Sequence, residues 1–341
     1  MATSAPRYSL FDKDGYWITD LRTMGRCSWT LPARGAVGEL DFNLSRYEPK
    51  NRRWIIEFGC YILRRQKNMP DWLGVIYTPR NWPVNQTSFK AYHVNKIFAW
   101  RKTPTNLLLN AAAGANFSEI LSITNATMFN EKPIFPNDIS YGGRSVSEKL
   151  GNDALSHLTK IAQNSGQDFE VAYKFDDNGR IILLGNWYQA AGIDTQRWLR
   201  EGNNIELSNE ILQETGDLWN SITGVNNAST PSARLTSQQW NETAISKYGL
   251  YETTQVFSGV ASQTALDSNV MSKLRQSINP MRALDLTALD VYDTYQFLAP
   301  GNLWSVDINF SGYGLNATVK ILGMEIDDAM IEKTRLITEV Q

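Results

Sequence analysis

Leu303-Trp304-Ser305-Val306-Asp307-Ile308-Asn309-Phe310 lies near the start of residues 301–341, and the pattern of that segment indicates what kind of structure to expect. Trp304, Val306, Ile308 and Phe310 alternate with Ser305, Asp307 and Asn309. A period of two sends the apolar set to one face of an extended strand and the polar set to the other, which describes a half-buried strand. Ser311-Gly312-Tyr313-Gly314 supplies turn chemistry. Leu315, Ala317, Val319 and Ile321 then resume the alternation against Asn316, Thr318 and Lys320, so a hairpin is expected. At Leu322-Gly323 the apolar phase slips by one, and Met324 and Ile326 take over the buried face. Glycine at a phase slip marks a bulge that bends the strand. Asp327-Asp328 makes the next turn, and residues 336–340 read as a last short strand. An antiparallel meander bent by a bulge fits the closing strands of a small barrel.

At 341 residues the chain is long enough for two or more domains, each with a core of its own. It is 42% hydrophobic and 20% charged. No apolar run approaches the roughly 20 residues of a membrane-spanning helix. Residues 1–16 have neither an apolar core nor a small-residue cleavage site, so no secretory signal is read and synthesis in a cytoplasm is expected. Cys27 and Cys60 are then expected as reduced core thiols. The net charge of −2 conceals an asymmetry: residues 1–103 hold 17 Lys/Arg against 8 Asp/Glu, and residues 104–341 hold 16 against 27. Such a dipolar chain either binds nucleic acid with its basic half or sets that half against the acidic half of a neighbouring copy.

Along the chain, residues 17–103 read as short strands separated by turns. They run through 27–32, Leu40/Phe42/Leu44, 54–59, 61–65, 72–77, 89–94 and 96–100, and indicate a small all-β barrel or sandwich. A loop-rich passage follows. Ser145-x-x-Glu148 reads as a capping box opening a helix with Leu150, Ala154, Leu158 and Ile161 on one face, stopped at Gly166. Residues 169–175 and 181–184 form a hairpin across Asp176-Asp177-Asn178-Gly179. Strands 205–212 and 218–225 start a second β region, interrupted by helices at 240–248 and 264–278 and resumed at 286–292. The expected fold is mainly β with an α+β insert: two small antiparallel β-barrels per chain, an α+β domain and a helical insertion. The boundaries are an arm at 1–16, a first barrel at 17–103, the α+β domain at 104–200, a second barrel at 201–236 and 285–341, and the insertion at 237–284. One loose internal parallel exists: Phe58-Gly59 and Pro300-Gly301 each precede a strand and hairpin.

Signals for catalysis are absent. The two histidines, His93 and His157, have no metal-ligand spacing beside them and read as structural. Asp12-Lys13-Asp14-Gly15 and residues 176–179 resemble fragments of calcium loops but lack the closing glutamate, and Asx-Gly turns explain them. No phosphate loop, nucleophile elbow or zincin motif occurs, so no catalytic residue, metal or cofactor is expected. Arg52-Arg53-Trp54, Tyr61, Arg64-Arg65 and Lys67 form a basic and aromatic interleaving. Two readings of it stand: a single-strand-binding barrel face, and a solvated or subunit-contacting exterior. Eleven tryptophans, among them Trp29, Trp72, Trp82 and Trp100, suit either core and interface anchors or glycan platforms.

The order of parts carries a resemblance. A barrel with Trp72-Leu73-Gly74-Val75-Ile76, an α+β unit, and a second barrel ending in Gly301-Asn302-Leu303-Trp304-Ser305-Val306 and Val319-Lys320-Ile321-Leu322-Gly323-Met324-Glu325-Ile326 together resemble the tail hub (baseplate hub) family of tailed phages and related injection machines. The likeness covers residues 17–341. It implies a non-enzymatic virion protein, a homotrimer whose two barrels per subunit alternate round a ring and adapt a sixfold tube to a threefold tip. The implied partners are the distal tail or tube protein, the tape measure protein and a separate fibre or spike, with DNA passing through the lumen unbound. Each basic first barrel would lie beside an acidic second barrel of the next subunit, with Arg52, Arg53, Arg64 and Arg65 as candidate subunit contacts. Because the sequence stops after its last strand, no wall-degrading module is expected.

Overall fold

The computed structural model describes residues 5–21, 24–32, 35–52, 55–77, 86–105, 107–126, 132–142, 145–189, 192–215, 218–228, 233–258, 260, 262–278, 281–291, 294–310, 313–327 and 333–340. The first strands are β1 (Arg7–Phe11), β2 (Trp17–Leu21), β3 (Met24–Pro32), β4 (Glu39–Ser45), β5 (Tyr61–Arg65), β6 (Trp72–Ile76) and β7 (Gln86–His93). The expected N-terminal arm therefore includes a strand: β1 pairs antiparallel with both β2 and β5, and Leu10 is fully buried. Leu40, Phe42 and Leu44 face the core as their alternation requires. Residues 55–59, expected as strand, instead turn the chain through the hydrogen bonds of Ile55 and Ile56 N–H to the Arg52 carbonyl.

Next come α1 (Lys96–Trp100), β8 (Leu108–Ala112), α2 (Ala113–Asn125), β9 (Ile134–Ile139), β10 (Ser145–Lys149), α3 (Ala154–Ser165), β11 (Asp168–Phe175) and β12 (Ile181–Tyr188). Residues 96–100 are helical where a strand was expected. Adjacent Ile97 and Phe98 are both buried, which a strand with one solvent face would not permit. The Ser145-x-x-Glu148 capping box is likewise not one: these residues are strand, in register with β8. The helix starts later, where the Asp153 carboxylate accepts the Ser156 N–H at 2.9 Å, and it ends at Gly166 in the left-handed region as expected. Phe98, Phe117, Phe169 and Trp187 fill the core of this unit, with Phe169 and Trp187 stacked at 5.8 Å.

The remaining elements are β13 (Asp194–Arg200), β14 (Ile205–Thr215), β15 (Ser221–Asn226), β16 (Thr236–Trp240), α4 (Glu242–Tyr248), β17 (Glu252–Phe257), α5 (Gln263–Ser277), β18 (Met281–Leu289), a short 3-10 turn at Thr294–Phe297, β19 (Leu303–Phe310), β20 (Tyr313–Asp327) and β21 (Lys333–Val340). The insertion is more than helical. Strand β15 leaves the main sheet, pairs with β16 and β17, and shares a separate core with α5 around Ile222, Leu266 and Val270. The expected turns at Ser311-Gly312 and Asp328 lie outside the described residues.

Thirteen strands form one sheet in the order β14-β18-β21-β20-β3-β4-β7-β6-β5-β1-β2, with β13 joined to β19 and β19 to β20. Two closed barrels were expected. The pairings instead run on from the C-terminal strands to the N-terminal ones, because β20 outlasts its hairpin partner: its residues 313–320 pair with β19 and 323–327 with β3. The bulge expected at Leu322-Gly323 is present, as a register shift between Ile321 and Gly323. One core underlies both parts and includes Trp29, Leu40, Trp304, Ile321 and Met324. No helix among the described residues is long and apolar enough to cross a membrane.

The strand order is repeated within the sheet. β3-β4-β7-β6-β5 and β14-β18-β21-β20-β19 follow the same path with the same antiparallel senses. The loose Gly59/Gly301 parallel is a matched geometry. Gly59 N–H donates to Ile76 O and Ile76 N–H to Cys60 O, while Gly301 N–H donates to Ile321 O and Ile321 N–H to Asn302 O. Both glycines have positive φ, 85° and 95°.

Gly192 has φ +89°, and an added Cβ would lie 2.1 Å from the Gly301 carbonyl carbon, whereas Gly202 has φ +71° and open space around it. Gly202→Ala should cost about 1 kcal/mol for backbone conformation alone. Gly192→Ala adds a backbone clash and should cost about 3 kcal/mol or more. Equilibrium denaturation of the two variants checks the difference.

Candidate functional site

Alternation along the strands leaves one face of the joined sheet polar. Following the pairings across β14, β18, β21, β20, β3 and β4, Glu206 lies opposite Thr287, Thr287 opposite Arg335, Arg335 opposite Glu325, Glu325 opposite Thr30, and the Glu39 N–H bonds to the Thr30 hydroxyl at 2.9 Å. A parallel row runs from Asp327 through Ser28 and Asp41 to Lys90. These rows line an open groove of about 700 Å³, with Trp29 and Ile326 at its floor.

Ion pairs stitch the face. Arg335 makes a bidentate contact with Asp285, 2.9 Å on each arm, and reaches Glu325 at 2.9 Å. The hydrogen bonds that Arg335 donates to Asp285 raise its pKa. Lys90 contacts Glu39 at 2.6 Å and Asp41 at 3.6 Å, and Lys333 contacts Glu206 at 2.7 Å. The Glu39 hydrogen bond raises the Lys90 pKa in turn. These pairs are solvated, so each stabilises by no more than about 1 kcal/mol. What matters is the sum: Glu39, Asp41, Glu206, Asp285, Glu325 and Asp327 outnumber Lys90, Lys333 and Arg335. A hydrated, net acidic concave surface repels polyphosphate and offers it no stacking platform.

The residues singled out by sequence do not form one surface. Arg52 is exposed on a loop, its guanidinium donating to the Asn51 carbonyl at 3.3 Å. Arg53 and Trp54 lie outside the described residues. Arg64 is a correction: it is fully buried, 4.3 Å over the Trp29 ring, and donates to the Gln66 side-chain oxygen. Burial lowers its pKa to about 10. Arg65, one step along the strand, points to the opposite face and is exposed. A strand cannot present Arg64 and Arg65 together, which the interleaved pattern concealed. Trp29 and Trp72 are core residues, Trp82 is outside the described set, and Trp100 packs on Tyr77 at 4.4 Å. Cys27 and Cys60 are free and buried, and burial pushes the Cys27 thiol up to about 12.

A second concavity of about 310 Å³ lies where the first strands, β11 and Ala299-Pro300 meet. Its polar groups are committed to structure. Asp168 is buried against Lys320 at 3.3 Å, Tyr173 donates to Asp71 at 2.6 Å, and Tyr188 donates to Glu170 at 2.5 Å. Desolvation first and those carboxylates second raise both phenol pKa values. His157 is likewise structural. Its Nε2 accepts the N–H groups of Gly151 and Asn152 at 3.2 and 3.0 Å, so the ring proton sits on Nδ1 and is donated to Glu148 at 2.7 Å. Sequence spacing missed that partner because Glu148 is on β10, not on the histidine's own helix. Among the described residues no group of three His, Cys, Asp or Glu side chains is placed to hold a metal.

No protein-family model matches the sequence, and no curated protein matches it. Solved structures match the fold across nearly the whole chain. A prophage tail protein of Listeria monocytogenes EGD-e superposes with a TM-score of 0.61 at 11% identity, covering 98% of this chain and 94% of that one. The 43 kDa tail protein of prophage MuSo2 from Shewanella oneidensis gives 0.60 at 13%, covering 98% of each. A tail protein from Neisseria meningitidis MC58 gives 0.60 at 10%, covering 99% and 97%. The chain thus has the fold of phage tail proteins.

Two outcomes follow from buried Arg64 and partly buried His93. Arg64→Ala removes packing over Trp29 and leaves Gln66 without its donor, and should destabilise by about 3 kcal/mol; Arg64→Met, which refills the space and removes a buried charge, should cost well under half of that by chemical denaturation. His93 has its pKa lowered to about 4 by desolvation. Between about pH 6.5 and 4 the unfolded chain therefore binds a proton that the folded chain refuses. Stability should be full above that window and fall with decreasing pH by up to about 1.4 kcal/mol per unit, less as the ring meets solvent. His93→Asn should flatten the melting-temperature profile between pH 7 and 5.

Proposed function

We propose that this chain is a structural subunit of a phage-type tail, a homotrimeric hub at the distal end of the tube that adapts sixfold to threefold symmetry and encloses the channel. The observation that carries this reading is the repeated strand order, because a protomer holding two equivalent sheet units lets three copies offer six equivalent positions to a tube. In chain order β2 directly precedes β3, and β13 directly precedes β14. In each unit the strand at the far end of the path runs in the same sense as the one it leads into. One bent strand could thus close each unit into a small barrel, the form the hub resemblance implies.

The acidic groove face is the surface that lines the channel in this reading. It favours passage of DNA without retention, since among the described residues the carboxylates outnumber the cations set between them, and those cations are held in ion pairs. The partners are the distal tail or tube protein on one side, a separate fibre or spike on the other, and the tape measure protein in the lumen, within a virion. The work is assembly rather than catalysis. Both concavities support this, since their titratable groups are held in ion pairs and hydrogen bonds of the fold.

The oppositely charged halves favour head-to-tail contacts in such a ring, with exposed Arg52 and Arg65 as the candidates that remain on the surface. Mass measurement of the purified chain should give three times the protomer mass, and sedimentation should show the trimer loosening at high salt. A chain monomeric under all conditions overturns the hub. The lining role has its own check: Asp41→Lys combined with Asp327→Lys should make the assembled particle retain duplex DNA at moderate salt where the unaltered one does not, read by co-sedimentation.

A further inference from the structure

We infer that the outer face of the small sheet β16-β15-β17 is a saccharide-binding surface, taking neutral pyranose rings with Trp240 as its stacking platform. The surface belongs to the insertion, outside both sheet units that the hub reading uses. Its sheet is covered on one side. Ile222 and Gly224 of β15 face α5, and a Cβ added at Gly224 would lie 2.1 Å from the Val270 side chain. The alternate residues point the other way. Trp240 stands opposite Ser221 and Ser221 opposite Glu252; in the next row Gln238 stands opposite Thr223 and Thr223 opposite Thr254. This side is open, with Trp240 53% and Val256 63% exposed on the flanking strands.

The platform is held in place. β16 pairs with β15 up to Trp240, and directly beyond it the Asn241 N–H donates to the Asn220 carbonyl at 3.0 Å. The Asn241 side chain then caps α4, accepting the Ala244 N–H at 2.8 Å. With the backbone fixed on both sides of the indole, little ordering is left for a ligand to impose.

Size and charge select the occupant. With strands about 4.8 Å apart and about 3.3 Å per residue, three strands of this length offer about 250 Å². Each partner in a stable protein interface buries about 800 Å², so the face is too small to hold a second copy by itself. Among its described residues Glu252 is the one charged side chain, and no Lys or Arg stands in either row. Nucleic acid and acidic sugars therefore find no counter-charge. A neutral pyranose suits what is present. Its C–H face packs on an indole, and its rim of hydroxyls exchanges hydrogen bonds with short polar side chains. Gln238, Thr223 and Thr254 each donate and accept, and Glu252 accepts, as it does from the Ser221 hydroxyl at 3.2 Å.

A glycan array probed with the full chain tests this, carrying neutral hexose, deoxyhexose and N-acetylhexosamine oligosaccharides beside sialylated and uronate ones. At least one neutral glycan should be retained, and calorimetric titration with it should show Trp240→Ala weakening binding about tenfold or more. Trp240→Tyr, which keeps an aromatic face, should stay within about threefold. Trp198→Ala, at a tryptophan 40% exposed on β13, should leave binding unchanged. Retention of no neutral glycan, retention of acidic glycans alone, or binding indifferent to Trp240→Ala overturns the site. So does a fall in oligomer mass in Trp240→Ala, which would make the face a subunit contact; an unchanged mass with lost binding supports the saccharide.

Discussion

The structure depends on one strand satisfying two neighbours in succession. Each N–H and C=O of β20 needs a partner once the sheet is packed, and β19 supplies them only as far as Lys320. Beyond the Ile321/Gly323 bulge, β3 takes over from Gly323 to Asp327, while β21 continues along the other edge. The bulge lets a 15-residue strand, about 50 Å at 3.3 Å per residue, change partners without breaking its ladder. Two units that could each have kept a separate core are coupled by backbone hydrogen bonds and share one. The charged rows on the open face are continuous for the same reason, since Glu325 and Thr30 are opposite each other only through that junction.

The two units are equivalent in path but not in burial. β5 and β6 are buried on both faces: Ile62 and Trp72 serve the shared core, while Tyr61, Leu63, Leu73 and Val75 pack against the α+β unit. Their counterparts β19 and β20 keep a solvent face, with Asp307 and Asn309 exposed. The C-terminal strands meet the α+β unit at fewer places, among them the Lys320–Asp168 pair, buried to 12% and 3% side-chain exposure. Removing one partner of such a pair strands a buried charge, so it registers the units more than it strengthens them.

Period-two alternation was legible wherever one face met water, as in β4, β19 and β20, and so were the bulge, the hairpin over residues 176–179 and the helix α5. What failed did so for physical reasons. Helix α1 is five residues long, less than two turns, and shows no period. Helix α2 lies in a small-residue run, Ala113-Gly114-Ala115-Asn116, whose close approach to Ser140 and Ile139 is a tertiary fact. Ser145 and Glu148 had cap spacing, but pairing with β8 won over local propensity. The acidic face was invisible in sequence because its carboxylates come from strands nearly 290 residues apart, and because the basic balance of residues 1–103 hid Glu39 and Asp41.

One difference between the matched units bears on symmetry. The β3–β4 connection spans only residues 33–38, whereas the matching β14–β18 connection, residues 216–280, carries β15, β16, β17, α4 and α5 with their own core. A long insertion between paired strands costs little in loop-closure entropy, because that cost grows only with the logarithm of length, and a folded insert lowers it further. The sheet therefore tolerates the insertion at one of two equivalent corners and keeps its strand order at both. In a ring of such protomers the sheet units would repeat at every step and the inserts at every second step. One surface would then carry the higher symmetry of the backbone path, and the other the lower symmetry of the inserts.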